Sequence, residues 1–369
     1  MRPTIAQINL GHLAHNVKAI RHHLPTSIGM TAVVKADAYG HGAVAVSRVA
    51  LDNGATALAV ATVEEGMELR EAGFTVPILL LGLTFAEDAK EIIQYDLTAT
   101  ACTFEQINNL AQTARTQGQK VRVMLKIDTG MNRIGFAPQD LPTYAEYALS
   151  FPEINLRGCF THLATADSKD KQHAQQQIAL FQQGLKQLAD KNISLPFISF
   201  ANSASIIDLD CTICNNSRPG IILYGLEPSN EMHHKLDLKP VMELKTKVVY
   251  VKQVPAGTTI GYGRTFRSPR TTYIATLPIG YADGYHRLLS NKAPVLIGGR
   301  RCQQVGNICM DQIMVDLGPD HPVEIGAEAV LFGRQGTEEI TAGELATLAQ
   351  TIHYELVCAV SKRVPRVYI

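Results

Sequence analysis

The sequence has no excess of charge of either sign, because 34 Lys and Arg are matched by 34 Asp and Glu. That balance gives no basic footprint for nucleic acid or for an anionic membrane surface, and it leaves a small molecule as the expected partner. Long apolar runs are also missing: Val76 to Leu83, among the longest, falls far short of the ~20 residues that span a bilayer. The opening MRPTIAQINLGHLAHN has no apolar core of a secretory signal, so a soluble, cytoplasmic protein is expected. Seven scattered cysteines form no disulfide framework, which agrees with a reducing compartment. The one CxxC, Cys211 and Cys214, has no second pair and no nearby His cluster, so packed or surface thiols are expected there and no metal. GxGxxG, P-loop, GxSxG and HExxH are all absent, which leaves nucleotide-binding, serine-hydrolase and zincin readings without their motif.

What is present is an alternation. At 369 residues the chain suits two domains, one of them large. Up to about residue 225, short β-branched runs alternate with helical patterns. The expected strands are Thr31 to Lys35, Ala57 to Ala61, Ile78 to Leu81, Leu97 to Thr100, Val121 to Ile127, Leu156 to Thr161, Phe197 to Phe200 and a poorly marked Thr212 to Ser217. Amphipathic stretches lie between them, including Glu64 to Glu71, Phe104 to Gln117 and the Gln-rich Gln172 to Asp190. Eight such units predict an α/β fold, a (β/α)8 TIM barrel. After the polar EPSNEMHHKLDLKP, Val/Ile/Thr-rich segments punctuated by Gly and Pro take over, with one clear helix near Thr341 to His353. The expected division is therefore a barrel over residues 1–230 and a mainly β C-terminal domain over 231–369.

A (β/α)8 barrel carries its chemistry at the carboxyl ends of its strands. Lys35 closes the first expected strand, in VVKADAYGHG, and a lysine in that place is a candidate Schiff-base former, since desolvating an ammonium is costly. Asp128 to Arg133 follow the fifth strand, His162 ends the sixth, Asn202 and Ser203 follow the seventh, and Arg218 follows the eighth. Singly, each is more often a structural or surface residue; their common position gives them weight. The loops after strands seven and eight, FANSAS and RPGIILYG, lie where barrels often hold a phosphate. Ser203 offers a hydroxyl there, and Gly220 lets the backbone of Gly220 and Ile221 come close. A reactive lysine and a phosphate cup on one rim suggest pyridoxal 5'-phosphate (PLP).

VVKADAYGHG resembles the PLP-lysine motif of alanine racemases. KIDTGMNRIG, THLATAD, FANSAS, RPGIILYG, PIGYADG, VGNICMDQ and KRVPRVY resemble further segments of that family in the same order, across residues 33 to 368. The resemblance implies a PLP barrel with a β domain, working as a homodimer whose active site is completed by the partner chain. It implies interconversion of L- and D-alanine, which supplies D-alanine for peptidoglycan. Lys35 would carry the cofactor. Tyr39, Ser203, Gly220 and Ile221 would bind its phosphate, Arg218 would face the pyridine nitrogen with His162 beside it, and Arg133 would contact the phenolic oxygen and the substrate carboxylate. Tyr262, in IGYGRTF, would be the opposing base, with Tyr281, Cys309, Met310 and Asp311 lining the partner's substrate entrance. Two positions stand apart. Lys362 replaces a tyrosine common in relatives, and Lys126 is carbamylated in some of them.

Racemisation through two faces needs two bases, Lys35 toward D-alanine and Tyr262 toward L-alanine. A free phenol titrates near ~10, so Tyr262 needs nearby positive charge, expected from the His162 and Arg218 pair. The rivals are a barrel-type PLP decarboxylase, expected to place a carboxylate at the ring nitrogen, a non-catalytic PLP-binding protein, expected as a bare barrel, and a racemase of broader substrate range.

Overall fold

The computed structural model describes residues 2–369. The chain divides into two compact units, one formed by His12–Ala38 and Ala43–Lys239, the other by the N-terminal stretch to Gly11, Tyr39–Gly42 and Pro240–Ile369.

In the first unit the described residues form an eight-stranded parallel sheet. Its strands are Gly29–Val33, Ala57–Val60, Ile78–Leu83, Thr98–Ala101, Val121–Lys126, Ile154–Phe160, Phe197–Ser199 and Asn216–Ser217. The first seven pair in sequence order, and the eighth pairs with the first, Gly29 opposite Asn216. The remaining gap is bridged by the Asn215 N–H to Ile198 O (3.1 Å), the Ile198 N–H to Asn215 Oδ1 (2.7 Å) and the Arg218 N–H to Ala201 O (2.8 Å). The sheet is thus closed into a barrel.

The outer helices start and stop for local reasons. Thr103 and Gln106 form a capping box on Phe104–Gln117, which ends at Gly118 in the left-handed region (φ 64°). Thr62 and Glu65 do the same for Val63–Glu71. Gln172–Asp190 buries Ala174, Phe181, Gly184 and Leu188 on one stripe.

The second unit is built on a ten-stranded sheet among the described residues. Its main path runs Tyr250–Val254, Thr272–Leu277, Ile313–Gly318, Arg300–Val305, Pro294–Ile297, Glu328–Gln335, Met242–Lys247, Ile5–Ile8, Arg366–Tyr368. The N-terminal strand belongs here and not to the barrel. IAQI alternates, burying Ala6 and Ile8, and pairs antiparallel with Met242–Lys247 and parallel with Arg366–Tyr368. Two short helices, Ala342–Leu348 and His353–Ala359, stand where one was expected.

The polar stretch expected to lead into the second unit stays with the barrel as far as Lys239. Asn16 brackets Lys239, accepting its N–H (2.7 Å) and donating to its carbonyl (2.8 Å), while the His233 and His234 N–H groups reach Asp208. No helix among the described residues is long and apolar enough to cross a membrane.

Candidate active site

Lys35 does not end a strand. The first barrel strand stops at Val33, and Lys35 opens a turn, Lys35–Gly40, in which Ala36, Asp37, Ala38 and Tyr39 have φ of 53°, 52°, 53° and 55°. Four consecutive L-residues in the left-handed region cost about 1–2 kcal/mol each, and such strain persists only where surrounding contacts impose it. Here the Ala36 N–H donates to Glu65 Oε1 (2.6 Å), the Ala38 N–H to Val34 O (2.8 Å), and Asp37 Oδ1 accepts from the Ala43 N–H (2.7 Å). Gly40, at φ 81°, has no room for a side chain, since a Cβ would sit 2.4 Å from the Val357 carbonyl oxygen.

Deeper in the mouth lies a cluster of cations. Arg218 is 4% exposed and donates to Ser199 O (3.0 Å), Ser199 Oγ and Thr161 O (2.7 Å), with its guanidinium 5.0 Å from the Phe160 ring centre. Burial draws its pKa down to about 10, which leaves it cationic at neutral pH. Lys126 is 3% exposed and donates to Ile127 O (2.9 Å). Burial first, then the charges of Arg218 and Arg133, lower its pKa to about 8 against the opposing pull of Asp128. Asp128 is committed to its own loop, where Oδ1 accepts from the N–H groups of Gly130, Met131 and Asn132 at 2.9 to 3.1 Å. His162 is pushed down to about 3 by burial, then by Arg218, Arg133, Lys126 and Lys35. It is therefore neutral, and the expected His162 and Arg218 pair carries one charge, that of the arginine.

The loops after strands seven and eight are tied together. Asn202 caps the helix Ser203–Asp208 through the Ser205 N–H (3.0 Å), and the Gly220 N–H donates to Ser203 Oγ (2.9 Å). Ile221 begins the 3-10 turn Ile221–Tyr224, which is anchored by the Tyr224 hydroxyl on Val33 O (2.8 Å). Gly220 itself has φ −121°, so close approach and not a left-handed backbone is its contribution. Because Ser203 Oγ accepts from Gly220, its own proton is left to donate to an anion.

In the second unit, burial raises the Tyr39 phenol above its ordinary range, with Cys358 adding to the effect, so this hydroxyl remains a donor. Tyr262 is 74% exposed on a turn held by φ of 72° at Gly261 and 70° at Gly263, and its carbonyl accepts from Asn307 Nδ2 (2.8 Å). Two further loops are zipped together: the Tyr281 N–H donates to Cys309 O and the Ala282 N–H to Met310 O, both at 3.1 Å. A Cβ at Gly280 would lie 2.3 Å from Cys309 O, so only glycine permits this approach. Asp283, fully buried, accepts from Arg2 (Nη2, 2.6 Å) and from the Gly280 N–H (3.0 Å). Arg363 bridges Asp311 (2.7 Å) and Asp283 (3.5 Å). Tyr281, Cys309, Met310 and Asp311 are thereby brought together, whereas Lys362 is exposed.

Residues 8–228 match the family profile described as "Alanine racemase, N-terminal domain", and residues 241–368 that of "Alanine racemase, C-terminal domain". The chain belongs to the alanine racemase family. "Alanine racemase 2" of Caldanaerobacter subterraneus subsp. tengcongensis is 45% identical, over 100% of this chain and 95% of that protein. The solved alanine racemase of Clostridium difficile 630 has a TM-score of 0.94 at 40% identity, covering 100% of this chain and 96% of its own. A histidine racemase of Leuconostoc mesenteroides subsp. sake has a TM-score of 0.90 at 29% identity, covering 100% and 98%.

Sequence reasoning missed one support of this alanine racemase-family mouth. Gln177, buried on the apolar stripe of Gln172–Asp190, donates to His162 O (3.1 Å) and Thr129 Oγ1 (3.3 Å) and accepts from the Ala164 N–H (2.9 Å). A glutamine on an otherwise apolar helix face is the signal that could have found it. Cys211 and Cys214 are buried thiols. Burial pushes Cys211 up to about 12, and its Sγ donates to Ser205 O (3.4 Å).

Proposed function

We propose that this chain is a PLP-dependent alanine racemase that interconverts L- and D-alanine in the cytoplasm as a homodimer, supplying D-alanine for peptidoglycan. The observation that carries the reading is the cationic character of the barrel mouth: burial and then Arg218 and Arg133 lower Lys126, burial and then Arg218, Arg133 and Lys126 lower His162, and Oδ1 of the nearby Asp128 accepts from its own loop. Such a site favours a ligand with a phosphate and a phenolate. Bound there, PLP would supply an aldehyde for an amine to join and a conjugated ring to delocalise the electron pair left when the Cα proton departs.

The chain's residues do the rest. Ser203 Oγ and the Ile221 N–H group would hold the phosphate, Gly220 would let its backbone come close while its N–H orients Ser203, and the family resemblance adds the Tyr39 hydroxyl. Arg218 would face the ring nitrogen and donate to it without transferring a proton, since a cation with a pKa near 10 is a weak acid at neutral pH. Arg218 would thereby leave that nitrogen without a proton, which would limit reactions that need a stronger electron sink, transamination among them. Neutral His162 lies beside Arg218 and adds no second charge. Arg133 pairs with the phenolic oxygen and the substrate carboxylate. Lys35 would hold the cofactor and, as an amine, move the proton on one face of Cα; Tyr262 of the partner subunit would move it on the other. Tyr281, Met310 and Asp311 of the partner subunit line the entrance. The part of the second unit that follows Pro240 would contribute those groups across the dimer.

Incubation of the purified protein with L-alanine and PLP is the test. Formation of D-alanine supports the reading; carbon dioxide release without D-alanine would replace it with a decarboxylase. Borohydride trapping followed by peptide mapping is expected to label Lys35.

A further inference from the structure

The barrel has a second mouth, at the amino ends of its strands, and it is not plugged. A cavity of about 370 Å³ opens there, a volume at the lower end of the range for small-molecule pockets. Barrel interiors are ordinarily filled by layers of bulky branched side chains. Here small side chains, Thr31, Ala57 and Thr98, line the wall and leave the hollow. Leu79 and Phe197 add apolar surface, and two guanidinium groups, Arg122 and Arg157, add charge with no carboxylate in the lining.

The two arginines are set by the sheet. Arg122 pairs in register with Asn155, and Asn155 and Arg157 alternate onto one face of the strand Ile154–Phe160, so the arginines are diagonal neighbours on adjacent strands. Arg122 is ion-paired with Asp96. Arg157 has no hydrogen bond or ion pair among the described residues, so its five N–H donors face the hollow and solvent. Arg122 also shares a strand face with Lys126, four residues further on, which places this cavity at the opposite end of the barrel from the cationic mouth described above.

We propose that this cavity is a second, non-catalytic binding site for a small organic anion. The ligand's carboxylate or phosphate is received by the Arg157 fork beside Arg122, and its compact apolar body lies against Leu79 and Phe197. A planar oxyanion suits guanidinium recognition, and the apolar wall distinguishes such a ligand from an inorganic ion.

Calorimetric titration of the holoenzyme with benzoate and, separately, with phenyl phosphate tests this. Saturable binding of at least one probe is expected, weakened about tenfold or more in Arg157→Gln and retained in Arg133→Gln. Inorganic phosphate is expected to bind more weakly than phenyl phosphate. Arg157 is exposed, so the substitution leaves the fold intact, and unchanged racemase activity with unchanged melting temperature serves as the check. The proposal is overturned if neither probe binds saturably, if binding survives Arg157→Gln, or if it disappears in Arg133→Gln alone, which would place the probes at the catalytic mouth.

Discussion

At the barrel mouth Arg218 and Lys126 are buried and fixed by their own unit, Arg218 by two carbonyls and a hydroxyl and Lys126 by a carbonyl, while His162 is kept neutral by its burial first and then by the charges around it. In the second unit the arrangement is reversed. The backbones of the loops carrying Tyr262, Tyr281 and Met310 are fixed, by Asn307, by carbonyl pairs and by Asp283, while the side chains themselves stand in solvent. Groups that must hold a charged ligand in one electronic state are preorganised by burial. Groups that, on the proposed function, meet a mobile substrate and a second subunit are held by their main chain and left open.

Substitutions on the two sides should separate accordingly. Lys35→Ala is expected to have the largest effect, lowering kcat by about 10⁴-fold, since on the proposed function it removes both the covalent anchor and one proton carrier; loss of the borohydride-trapped peptide checks the anchor. Tyr262→Phe should lower kcat by about 10²- to 10³-fold with the cofactor absorbance unchanged. Full activity in that variant would remove the exposed loop from the chemistry and break the contrast.

Asp283→Ala addresses the scaffold beneath the exposed groups. Arg2 and Arg363 keep some access to water, so the expected loss is about 2 kcal/mol, below the ~3–5 kcal/mol of a fully buried pair, and read as a lower denaturant midpoint.

A smaller, pH-dependent effect is expected inside the barrel unit at Asp208. Burial alone would raise its pKa, but Lys171 and the His233 and His234 N–H groups outweigh that and hold it below the ordinary carboxylate value. A depressed carboxyl stabilises the fold above its unfolded pKa, and that contribution is lost as pH falls through the folded value. Asp208→Asn should therefore cost stability near neutrality and flatten the fall in stability below about pH 4.

The subtlest expectation concerns Lys126. With a pKa near 8, part of the amine is neutral at physiological pH, and ¹³C-bicarbonate should give a carbamate signal that Lys126→Met removes.

Local signals made much of this fold readable. Phe104–Gln117 and Gln172–Asp190 fall where the amphipathic pattern puts them, because caps and an apolar stripe lie within the segments themselves. What depends on distant partners was not readable. Asn216–Ser217 is only two residues long and owes its existence to Gly29 and Met30. Lys35 falls beyond its strand because Glu65 and Asp37 stabilise a left-handed turn that no propensity favours. The charge state of His162 depends on its burial first, and then on Arg218, Arg133, Lys126 and Lys35, which distant parts of the chain bring to it. The motif residues at the rim were legible; the Gln177 brace behind them was hidden by its resemblance to a solvated helix face.

The strand Ile5–Ile8 lies between Met242–Lys247 and Arg366–Tyr368. Its ladder cannot be completed until residues some 360 positions away have been made and brought back across the intervening barrel, a loop closure that contributes high contact order. The barrel unit can therefore assemble while the chain is still growing, whereas the second sheet must wait until Arg366–Tyr368 has been made. A chain shortened by its last few residues would strand the N-terminal segment with one open edge, free to pair with a neighbouring molecule.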